Sequence, residues 1–331
     1  MVQICLVGGS GFIGTRLTRH LIQNVGEDVR IIDKSPSKTY PNFVALSDVR
    51  SVEQLSQSIP DNSVIINLAA EHRDDVSPKS LYNEVNVEGA RNICLVAREK
   101  RIKKIIFTSS VAVYGFAKPG TGEDGAISPF NDYGRTKFEA EEIYKAWQAE
   151  DPRERSLTII RPTVVFGEQN RGNVYNLLKQ IASGRFIMVG DGKNRKSVAY
   201  VENVAAFIEH SLSFGPGVHL YNYVDKPDFS MNEFVSKVNH ILGREDKIRF
   251  RLPFAIGYAV GKTFDFFAWI TGKKFAISSI RVKKFCSNSV YSSAITNTGF
   301  IPPVSIEEAL ERTVRYEFLE SNKGREVFYS E

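Results

Sequence analysis

The chain has little cysteine and no arrangement of residues typical of a metal site. Its 331 residues include three cysteines, Cys5, Cys94 and Cys286, which are odd in number and far apart. Such a set argues against a disulfide framework and fits a reducing compartment. We therefore expect a cytoplasmic protein with no bound metal.

Long apolar runs are also missing. A membrane-spanning helix needs roughly 18 or more apolar residues, and no uncharged run of that length occurs. The first residues enter a short apolar segment and then a glycine-rich one, which is not the pattern of a secretory signal peptide. A hydrophobic content of 42% with 24% charged residues is ordinary for a globular protein.

Positive charge is modest overall and unevenly placed. The net charge is +5, yet residues 244–284 alone hold ten Lys and Arg against three Asp and Glu. A basic stretch of this kind favours a phosphate-bearing ligand or an anionic surface. A solvated face balanced by acidic regions elsewhere is the alternative. We expect no nucleic-acid partner.

A glycine-rich loop follows the first apolar run. Residues 2–7 predict a strand, Gly8-Gly9-Ser10-Gly11-Phe12-Ile13-Gly14 follows, and an amphipathic segment continues to about residue 25. This order predicts a dinucleotide-binding loop, in which Gly8 permits the turn, Gly11 lets a pyrophosphate approach and Gly14 allows helix–strand packing. Backbone N–H groups at the helix start, around Phe12 and Ile13, would face the phosphates.

Further strand ends are expected to contact the same dinucleotide. A predicted strand over 29–32 ends in Asp33, about 20 residues beyond the loop, where a carboxylate accepts from ribose hydroxyls and repels a 2′-phosphate. Asp33 therefore favours NAD over NADP, although Lys34 weakens that choice. The other cofactor contacts that we expect are Asp48, Val49, Leu68, Ala69, Ala70, Tyr133, Lys137 and Pro162.

Alternating strand and helix patterns predict the fold class. Strands are expected at 2–7, 29–32, 43–46, 64–68, 105–110 and 157–160, with a long helix over about 79–100. They specify an α/β fold with a doubly wound parallel sheet of the Rossmann type, in which ligands lie at the carboxyl ends of the strands. We place the NAD-binding domain at 1–165 plus about 196–225. A smaller substrate-binding lobe would take about 166–195 and 226–331.

Candidate catalytic groups lie between residues 107 and 137. Tyr133 and Lys137 stand four apart at the start of a predicted helix, so both side chains share one face. A free tyrosine has a pKa of about 10, and an ammonium one turn away, with the positive charge of an oxidised nicotinamide, would favour the phenolate. Ser110 can offer its hydroxyl to the same substrate oxygen. Tyr-x-x-x-Lys often occurs on helices by chance, so it indicates a catalytic pair only together with the glycine loop that precedes it.

Two later segments suggest how a substrate is held. The polar loop 190–197 contains Lys193, Arg195 and Lys196, which suit a diphosphate; an exposed basic hairpin is the alternative. Residues 254–270 are apolar and aromatic but interrupted by charges, so they could lie in a membrane interface, with basic neighbours on lipid headgroups. A buried lid helix is the other interpretation. His72, Asp74 and Asp75 follow a strand end and face either substrate or solvent.

With these motifs in this order, the chain resembles the extended short-chain dehydrogenase/reductase family of nucleotide-sugar epimerases, dehydratases and ketoreductases. The likeness covers nearly the whole chain and includes residues 86–89, 108–115, 133–137 and 161–162. It implies that Tyr133 is the acid/base, Lys137 its partner on the nicotinamide ribose and Ser110 the hydroxyl on the reacting oxygen. It also implies a homodimer through helices around 79–100 and 133–150. The chain departs from the family pattern at Val7, where Thr is usual, and at Asn203, where Asp is usual.

Residues 68–78, 170–180, 270–274 and 281–286 resemble a narrower group, the bacterial 4-epimerases that act on N-acetylglucosamine carried by undecaprenyl diphosphate in O-antigen assembly. The implied substrate is a lipid-diphosphate-linked or nucleotide-diphosphate-linked N-acetylhexosamine, with peripheral attachment to the inner face of the cell membrane. The expected substrate contacts are Ser110, Val111, Asn173, Arg195 and Lys196.

Other activities stay open at this point. A soluble UDP-N-acetylhexosamine 4-epimerase and a nucleotide-4-ketosugar reductase share the same motifs. A dehydratase is disfavoured because no acidic pair follows Ser110. A non-catalytic dinucleotide sensor is disfavoured because Tyr133 and Lys137 are both present.

Overall fold

The computed structural model describes residues 2–26, 28–73, 76–248, 250–272 and 278–329. Its strands are β1 (Ile4–Val7), β2 (Val29–Asp33), β3 (Val44–Leu46), β4 (Val64–Asn67), β5 (Lys104–Thr108), β6 (Ser156–Pro162), β7 (Val164–Phe166), β8 (Met188–Val189), β9 (Arg195–Tyr200), β10 (Gly217–Tyr223), β11 (Asp225–Ser230) and β12 (Arg251–Leu252). Its helices are α1 (Phe12–His20), α2 (Val52–Ser58), α3 (Ser80–Tyr82), α4 (Gly89–Glu99), α5 (Asp132–Ala149), α6 (Asn173–Ala182), α7 (Val201–His210), α8 (Met231–Ile241), α9 (Phe254–Thr271), α10 (Ser279–Cys286) and α11 (Ile306–Phe318).

The central sheet has seven parallel strands in the order β10-β6-β5-β4-β1-β2-β3. This confirms the doubly wound, Rossmann-type fold. From β1 the chain runs outward to β3 and then returns to β4 on the other side, so the strand order reverses between β1 and β4. Val7 pairs with Asn67 across that boundary. The segments that follow these two strands therefore meet in the crevice where such sheets bind their ligands.

Apolar side chains cover both faces of this sheet. On one face α1 and α7 bury Leu17 and Phe207, and on the other α4 and α5 bury Ile93 and Trp147. The seventh strand, β10, is missing from the sequence prediction. It lies at the edge of the sheet, and most of its side chains are only half-buried, so its apolar signal is weak.

The predicted helix over 79–100 consists of three pieces. Between α3 and α4 the backbone widens into a π-helical stretch over residues 83–88. This stretch carries Asn86, whose side chain exchanges hydrogen bonds with the backbone of Glu71 and donates to Thr136 Oγ1. The bulge thus joins the segment after β4 to the helix that holds Tyr133.

A second apolar core lies between α6, α8 and α11, with Leu178, Val238 and Leu310 fully or almost fully buried. Two small sheets, β11-β9-β7 and β12-β8, stand apart from the central sheet. Asn203 on α7 donates to Asp225 (2.9 Å) and to the carbonyl of Val304 (2.8 Å), and its own amide oxygen accepts from Val304 N. Asn203, which departs from the family pattern, therefore links α7 to β11 and to the segment before α11.

Helix α9 projects its apolar side chains into solvent. Its two buried residues are Gly257 and Gly261, and a Cβ at Gly261 would lie 2.7 Å from the backbone of Ser279, so α9 packs closely on α10 there. Trp269 is 80% exposed. This exposure rules out the buried lid helix. Among the described residues no helix has both the length and the apolar character needed to span a membrane.

Candidate active site

The glycine loop leaves room for a ligand at one position. Gly8 has a φ of +79°, and a Cβ on it would lie 2.5 Å from Ala69 N. A Cβ on Gly14 would lie 2.4 Å from the carbonyl oxygen of Gly9, so these two glycines are required by the protein itself. A Cβ on Gly11 would meet only Gly8 O, at 3.4 Å. Beside Gly11 the loop therefore forms an open cradle at the start of α1, where Phe12 and Ile13 supply first-turn N–H groups.

Asp33 lies beside the same cradle. Its carboxylate accepts from Ser10 N (3.0 Å) and from Ser35 N (2.9 Å), and burial raises its pKa. Leu68 and Ala69 form the opposite wall, because the backbone of these residues contacts Gly8. The open cradle, the carboxylate at the end of β2 and the close backbone wall fit NAD, which these groups would hold by its pyrophosphate and adenosine ribose.

The remaining predicted cofactor residues surround this crevice less closely. Asp48 follows β3, and its carboxylate binds Arg50 through two oxygens, which lowers its pKa. Val49 packs closely against Gly89, because a Cβ built on Gly89 would lie 2.1 Å from Val49 Cγ2. Ala70 follows Ala69 after β4, and Pro162 ends β6. All of them lie after or at the carboxyl ends of parallel strands.

Ser110, Tyr133 and Lys137 are brought together by the start of α5. Asn131 caps the helix by accepting from Gly134 N (2.9 Å). A Cβ on Gly134 would lie 2.4 Å from the carbonyl oxygen of Ala112, so α5 packs directly on the turn that follows Ser110. The hydroxyl of Ser110 lies near that of Tyr133, close enough to oppose the rise in the Tyr133 pKa that burial causes. The start of α5 therefore brings Tyr133 beside Ser110, and Lys137 follows one turn further along the same helix.

Lys137, one turn along α5 from Tyr133, lies in the protein interior. It is 2% exposed, donates to the carbonyl oxygen of Thr108 over 2.7 Å, and its Nζ lies 4.6 Å from the centre of the Phe107 ring. Burial lowers the pKa of Lys137 to about 7, and the charge of Glu141 opposes this. Burial also lowers the pKa of the neighbouring His72.

The pKa of Tyr133 differs from the sequence expectation. Burial raises it, and the hydrogen bond with Ser110 opposes the rise. The expectation from the sequence rested on the ammonium of Lys137 together with an oxidised nicotinamide, and it left out the loss of solvation around Tyr133 and Lys137. A phenolate at neutral pH therefore needs positive charge in addition to that of Lys137, and an oxidised nicotinamide would supply it.

Arg195 and Lys196 do not form a shared clamp in this structure. Neighbouring residues of a strand point to opposite faces, and the two cations diverge accordingly. Arg195 donates to the carbonyl of Asp228 (2.6 Å) and pairs with Glu233 (3.3 Å). Lys196 donates to the carbonyls of Lys284 (2.7 Å) and Ser287 (2.6 Å), and burial lowers its pKa to about 8.

A cavity of about 800 Å³ is lined in part by Ser287, whose carbonyl accepts from Lys196. Its walls come from the loop after β8, from β12, from the start of α9 and from α10. They are formed by Gly190, Asp191, Arg251, Leu252, Pro253, Phe254, Lys283, Cys286 and Ser287. The other two predicted substrate residues lie apart from these walls, Val111 in the turn after Ser110 and Asn173 at the exposed start of α6.

An aromatic pair links the cavity to the catalytic helix. Phe116 and Phe130 have ring centres 4.9 Å apart. Lys283 lies 5.5 Å from the Phe116 ring and Lys284 lies 4.4 Å from the Phe130 ring. Since Asn131 caps α5, the cavity wall is connected to the helix that carries Tyr133. Sequence reasoning missed this link, and the only available signal was the pair of lysines in the basic stretch.

Sequence reasoning also missed Glu141. It lies one turn beyond Lys137 on α5, fully buried, and forms an ion pair with Arg161. Its spacing of four residues from Lys137 was the signal in the sequence that could have found it.

Among the described residues no group of three His, Cys, Asp or Glu could hold a metal ion. Asp74 and Asp75 lie outside the described residues, as do Arg249, Lys273 and Lys274.

Comparison with known proteins adds a family and several relatives. The model of the NAD dependent epimerase/dehydratase family matches residues 4–222. The chain is 47% identical over 331 residues to the N-acetyl-alpha-D-glucosaminyl-diphospho-ditrans,octacis-undecaprenol 4-epimerase of Escherichia coli O157:H7, and the match covers 99% of each chain.

Solved structures resemble the fold at lower identity. One is a UDP-glucose 4-epimerase with UDP-glucose from Thermotoga maritima, with a TM-score of 0.74 and 20% identity over 95% of this chain and 98% of that one. Another is a UDP-glucuronic acid 4-epimerase from Bacillus cereus in complex with NAD, with a TM-score of 0.72 and 19% identity over 95% of this chain and 98% of that one.

Proposed function

Since the chain belongs to the NAD dependent epimerase/dehydratase family, we propose that it is the 4-epimerase that interconverts N-acetylglucosamine and N-acetylgalactosamine on undecaprenyl diphosphate, for O-antigen or related surface polysaccharides. The observation that carries this proposal is the full-length 47% identity to an epimerase named for that carrier. The assembled Ser110, Tyr133 and Lys137 support it, because they are the groups that C4 chemistry requires.

The cofactor is NAD, held by the glycine loop, Asp33 and the wall at Leu68 and Ala69, and when bound it supplies a reversible acceptor for the hydrogen at C4. Tyr133 takes the proton of the C4 hydroxyl onto its phenolic oxygen. Ser110 donates a hydrogen bond to the same substrate oxygen. Lys137 holds positive charge beneath both, which favours the phenolate.

Inversion requires the sugar to present its other face before the proton returns. A site that grips the ring itself would hinder that rotation, so the anchor must lie on the diphosphate. We place the diphosphate in the 800 Å³ cavity, where Arg251 and Lys283 are the cationic wall residues. Lys196 borders this cavity through Ser287. Tyr133 then returns its proton to the C4 oxygen on the new face, so no net oxidation occurs.

The test compares carriers. Purified protein with NAD is given N-acetylglucosaminyl-diphospho-undecaprenol or UDP-N-acetylglucosamine, and the product sugar is identified by mass spectrometry after mild acid release and chromatography. The proposal predicts conversion of the lipid-linked sugar at least about 100-fold faster in kcat/KM, since a preference of that size needs only about 3 kcal/mol. Equal or faster conversion of the UDP sugar would assign the chain to the soluble UDP-hexosamine epimerases. Stoichiometric consumption of NADH on a 4-ketosugar would assign it to the ketoreductases.

Contact with the membrane surface is a further part of this proposal. The exposed side of α9 carries Ile256, Phe266, Phe267, Trp269 and Ile270, each at least 49% exposed. Apolar surface of this kind gains about 25 cal/mol per Å² on burial, and the nearby Lys262, Arg281 and Lys283 suit anionic headgroups. The helix would lie in the interface and bring the cavity near the diphosphate of a membrane-held substrate.

Sedimentation with vesicles tests this surface. Vesicles of phosphatidylcholine with about 30% phosphatidylglycerol should bind the protein. The double variant Phe266→Ser, Trp269→Ser should reduce the bound fraction about tenfold. Ile301→Ser is the matched control, because Ile301 is 83% exposed and is not part of α9. Equal loss in the control variant, or no loss in the α9 variant, would remove α9 from membrane contact.

A homodimer through α4 and α5 completes the proposal. Leu95 on α4 is 51% exposed, and Arg98 on α4 pairs with Glu150 beyond α5, so the two helices present one continuous surface. Light scattering should give about twice the chain mass of 37.2 kDa, and Leu95→Arg should reduce it toward the monomer. A wild-type mass equal to that of one chain would contradict this assignment.

A further inference from the structure

Glu141 continues the catalytic face of α5. It lies four residues beyond Lys137 and eight beyond Tyr133, so all three side chains share one side of the helix. Its side chain is 0% exposed, and that of its partner Arg161 is 2% exposed. A carboxylate so deeply buried must be paired, since an isolated buried charge is strongly unfavourable.

The contacts of Glu141 fix its orientation. Arg161 donates from Nε to one carboxylate oxygen (2.8 Å) and from Nη2 to the other (2.5 Å). Ser109 Oγ also donates to the carboxylate, at 2.5 Å. Ser109 lies between Thr108, whose carbonyl accepts from Lys137, and Ser110, whose hydroxyl lowers the pKa of Tyr133. One carboxylate therefore holds the loop that supplies a partner to each catalytic group on α5.

We propose that Glu141 is a positioning residue for the C4 reaction: its carboxylate, held by Arg161 and Ser109, keeps Lys137 in the ammonium form and keeps Ser110 in register with Tyr133. This inference rests on the proposed function for its chemistry. Arg161 controls how strongly Glu141 raises the pKa of Lys137, because the positive charge of Arg161 offsets part of the negative charge of Glu141.

The charges around Lys137 are consistent with this role. Its pKa of about 7 results from burial, and the charge of Glu141 opposes that fall. From the other elements, His72 faces it from the segment after β4, and the His72 pKa is itself lowered by burial. Glu71 and Arg73 act on His72 with opposite signs. Phe107 and the carbonyl of Thr108 complete the contacts from β5 and carry no net charge.

Direct titration of Lys137 tests the electrostatic part. The whole chain is labelled with ¹³C at lysine Cε, the Lys137 resonance is assigned from its loss in Lys137→Met, and its pKa is read from the shift with pH. We expect the pKa of Lys137 to fall by about one unit in Glu141→Gln and to rise by about one unit in Arg161→Gln. Glu142→Gln is the matched control, since Glu142 is the next residue, lies on the exposed face and, among the described residues, forms its ion pair with Lys145.

The pH dependence of kcat tests the catalytic part. Lys137 must keep its proton, so the alkaline limb of the profile should move to lower pH in Glu141→Gln and to higher pH in Arg161→Gln. A merely structural pair would lower the amplitude of both profiles and shift neither limb. If Glu141→Gln does not fold, Glu141→Gln with Arg161→Gln leaves no unpaired buried charge and carries the test, with an expected Lys137 pKa below that of the wild type.

The outcomes separate this inference from the proposed function. A Lys137 pKa within about 0.3 unit of the wild type in Glu141→Gln, or shifts of the same sign in both single variants, would overturn the role of Glu141. Opposite shifts in a chain that fails to epimerise either sugar carrier would uphold the electrostatic role and overturn the proposed function.

Discussion

The ammonium group of Lys137 donates to the carbonyl oxygen of Thr108 over 2.7 Å, and this bond joins α5 to the end of β5. Thr108 is the last residue of β5, two residues before Ser110. This bond therefore helps to fix how α5, the helix that carries Tyr133, lies against the end of β5. Positioning and charge are linked in this site, because a shift of α5 would change both.

Removal of the Tyr133 hydroxyl tests its role as acid and base. In Tyr133→Phe we expect kcat to fall about 10²–10⁴-fold, because the C4 hydroxyl loses the group that takes and returns its proton. NAD binding and thermal stability should stay near wild-type values. Tyr329→Phe is the control, since Tyr329 is 72% exposed. Turnover of Tyr133→Phe near the wild-type rate would take Tyr133 out of the mechanism.

Gly11→Ala separates cofactor binding from folding. The new methyl group meets only Gly8 O at 3.4 Å within the protein, so the midpoint of thermal unfolding without cofactor should stay within about 2 °C of wild type. It would occupy the cradle beside the pyrophosphate, so the dissociation constant for NAD should rise at least about tenfold.

Gly215→Ala is the matched control for that measurement, because a Cβ there meets nothing within 4 Å. Isothermal titration with NAD measures the affinity, and calorimetry measures the midpoint. Wild-type NAD affinity in Gly11→Ala would show that the pyrophosphate lies elsewhere.

Asp225 gives the fold a defined dependence on pH. Burial raises the pKa of this carboxyl from 3.8 to about 6, although Tyr200 N and Asn203 donate to it. Between these two values the folded chain binds more protons than the unfolded chain, so this group lowers the free energy of unfolding as pH rises. A shift of about two units corresponds to about 3 kcal/mol, most of it lost between pH 4 and pH 7.

Asp225→Asn should remove that part of the pH dependence. Relative to wild type, the free energy of unfolding of the variant should rise by about 2–3 kcal/mol between pH 4 and pH 7. Asp151→Asn, at an exposed site, should change by less than about 1 kcal/mol over the same range. Chemical denaturation at several pH values provides the measurement. A constant difference between Asp225→Asn and wild type would show that Asp225 is not the titrating group.

Local chemistry made part of this molecule predictable from its sequence. The glycine loop, Asp33 and Leu68–Ala70 each follow a short apolar strand, and the rule that ligands lie at the carboxyl ends of parallel strands places them together. Six of the seven strands of the central sheet were also predictable, because each is a short apolar run. That Tyr133 and Lys137 share one face of a helix follows from their spacing of four residues alone.

Contacts between distant residues made the rest unpredictable. Arg161 pairs with Glu141 from another element, and Lys196 finds its partners at Lys284 and Ser287, about 90 residues along the chain. Strand β10 has too little buried surface to show a clear pattern. The pKa of Tyr133 depends on how much protein surrounds it, and sequence spacing does not give that quantity.

The central claim is that the hydrogen at C4 leaves and returns within one active site. The most direct measurement uses N-acetylglucosaminyl-diphospho-undecaprenol carrying deuterium at C4, converted in ordinary water and examined by mass spectrometry and NMR. The account predicts an N-acetylgalactosaminyl product that retains deuterium at C4. A product carrying hydrogen from the solvent at C4 would contradict it.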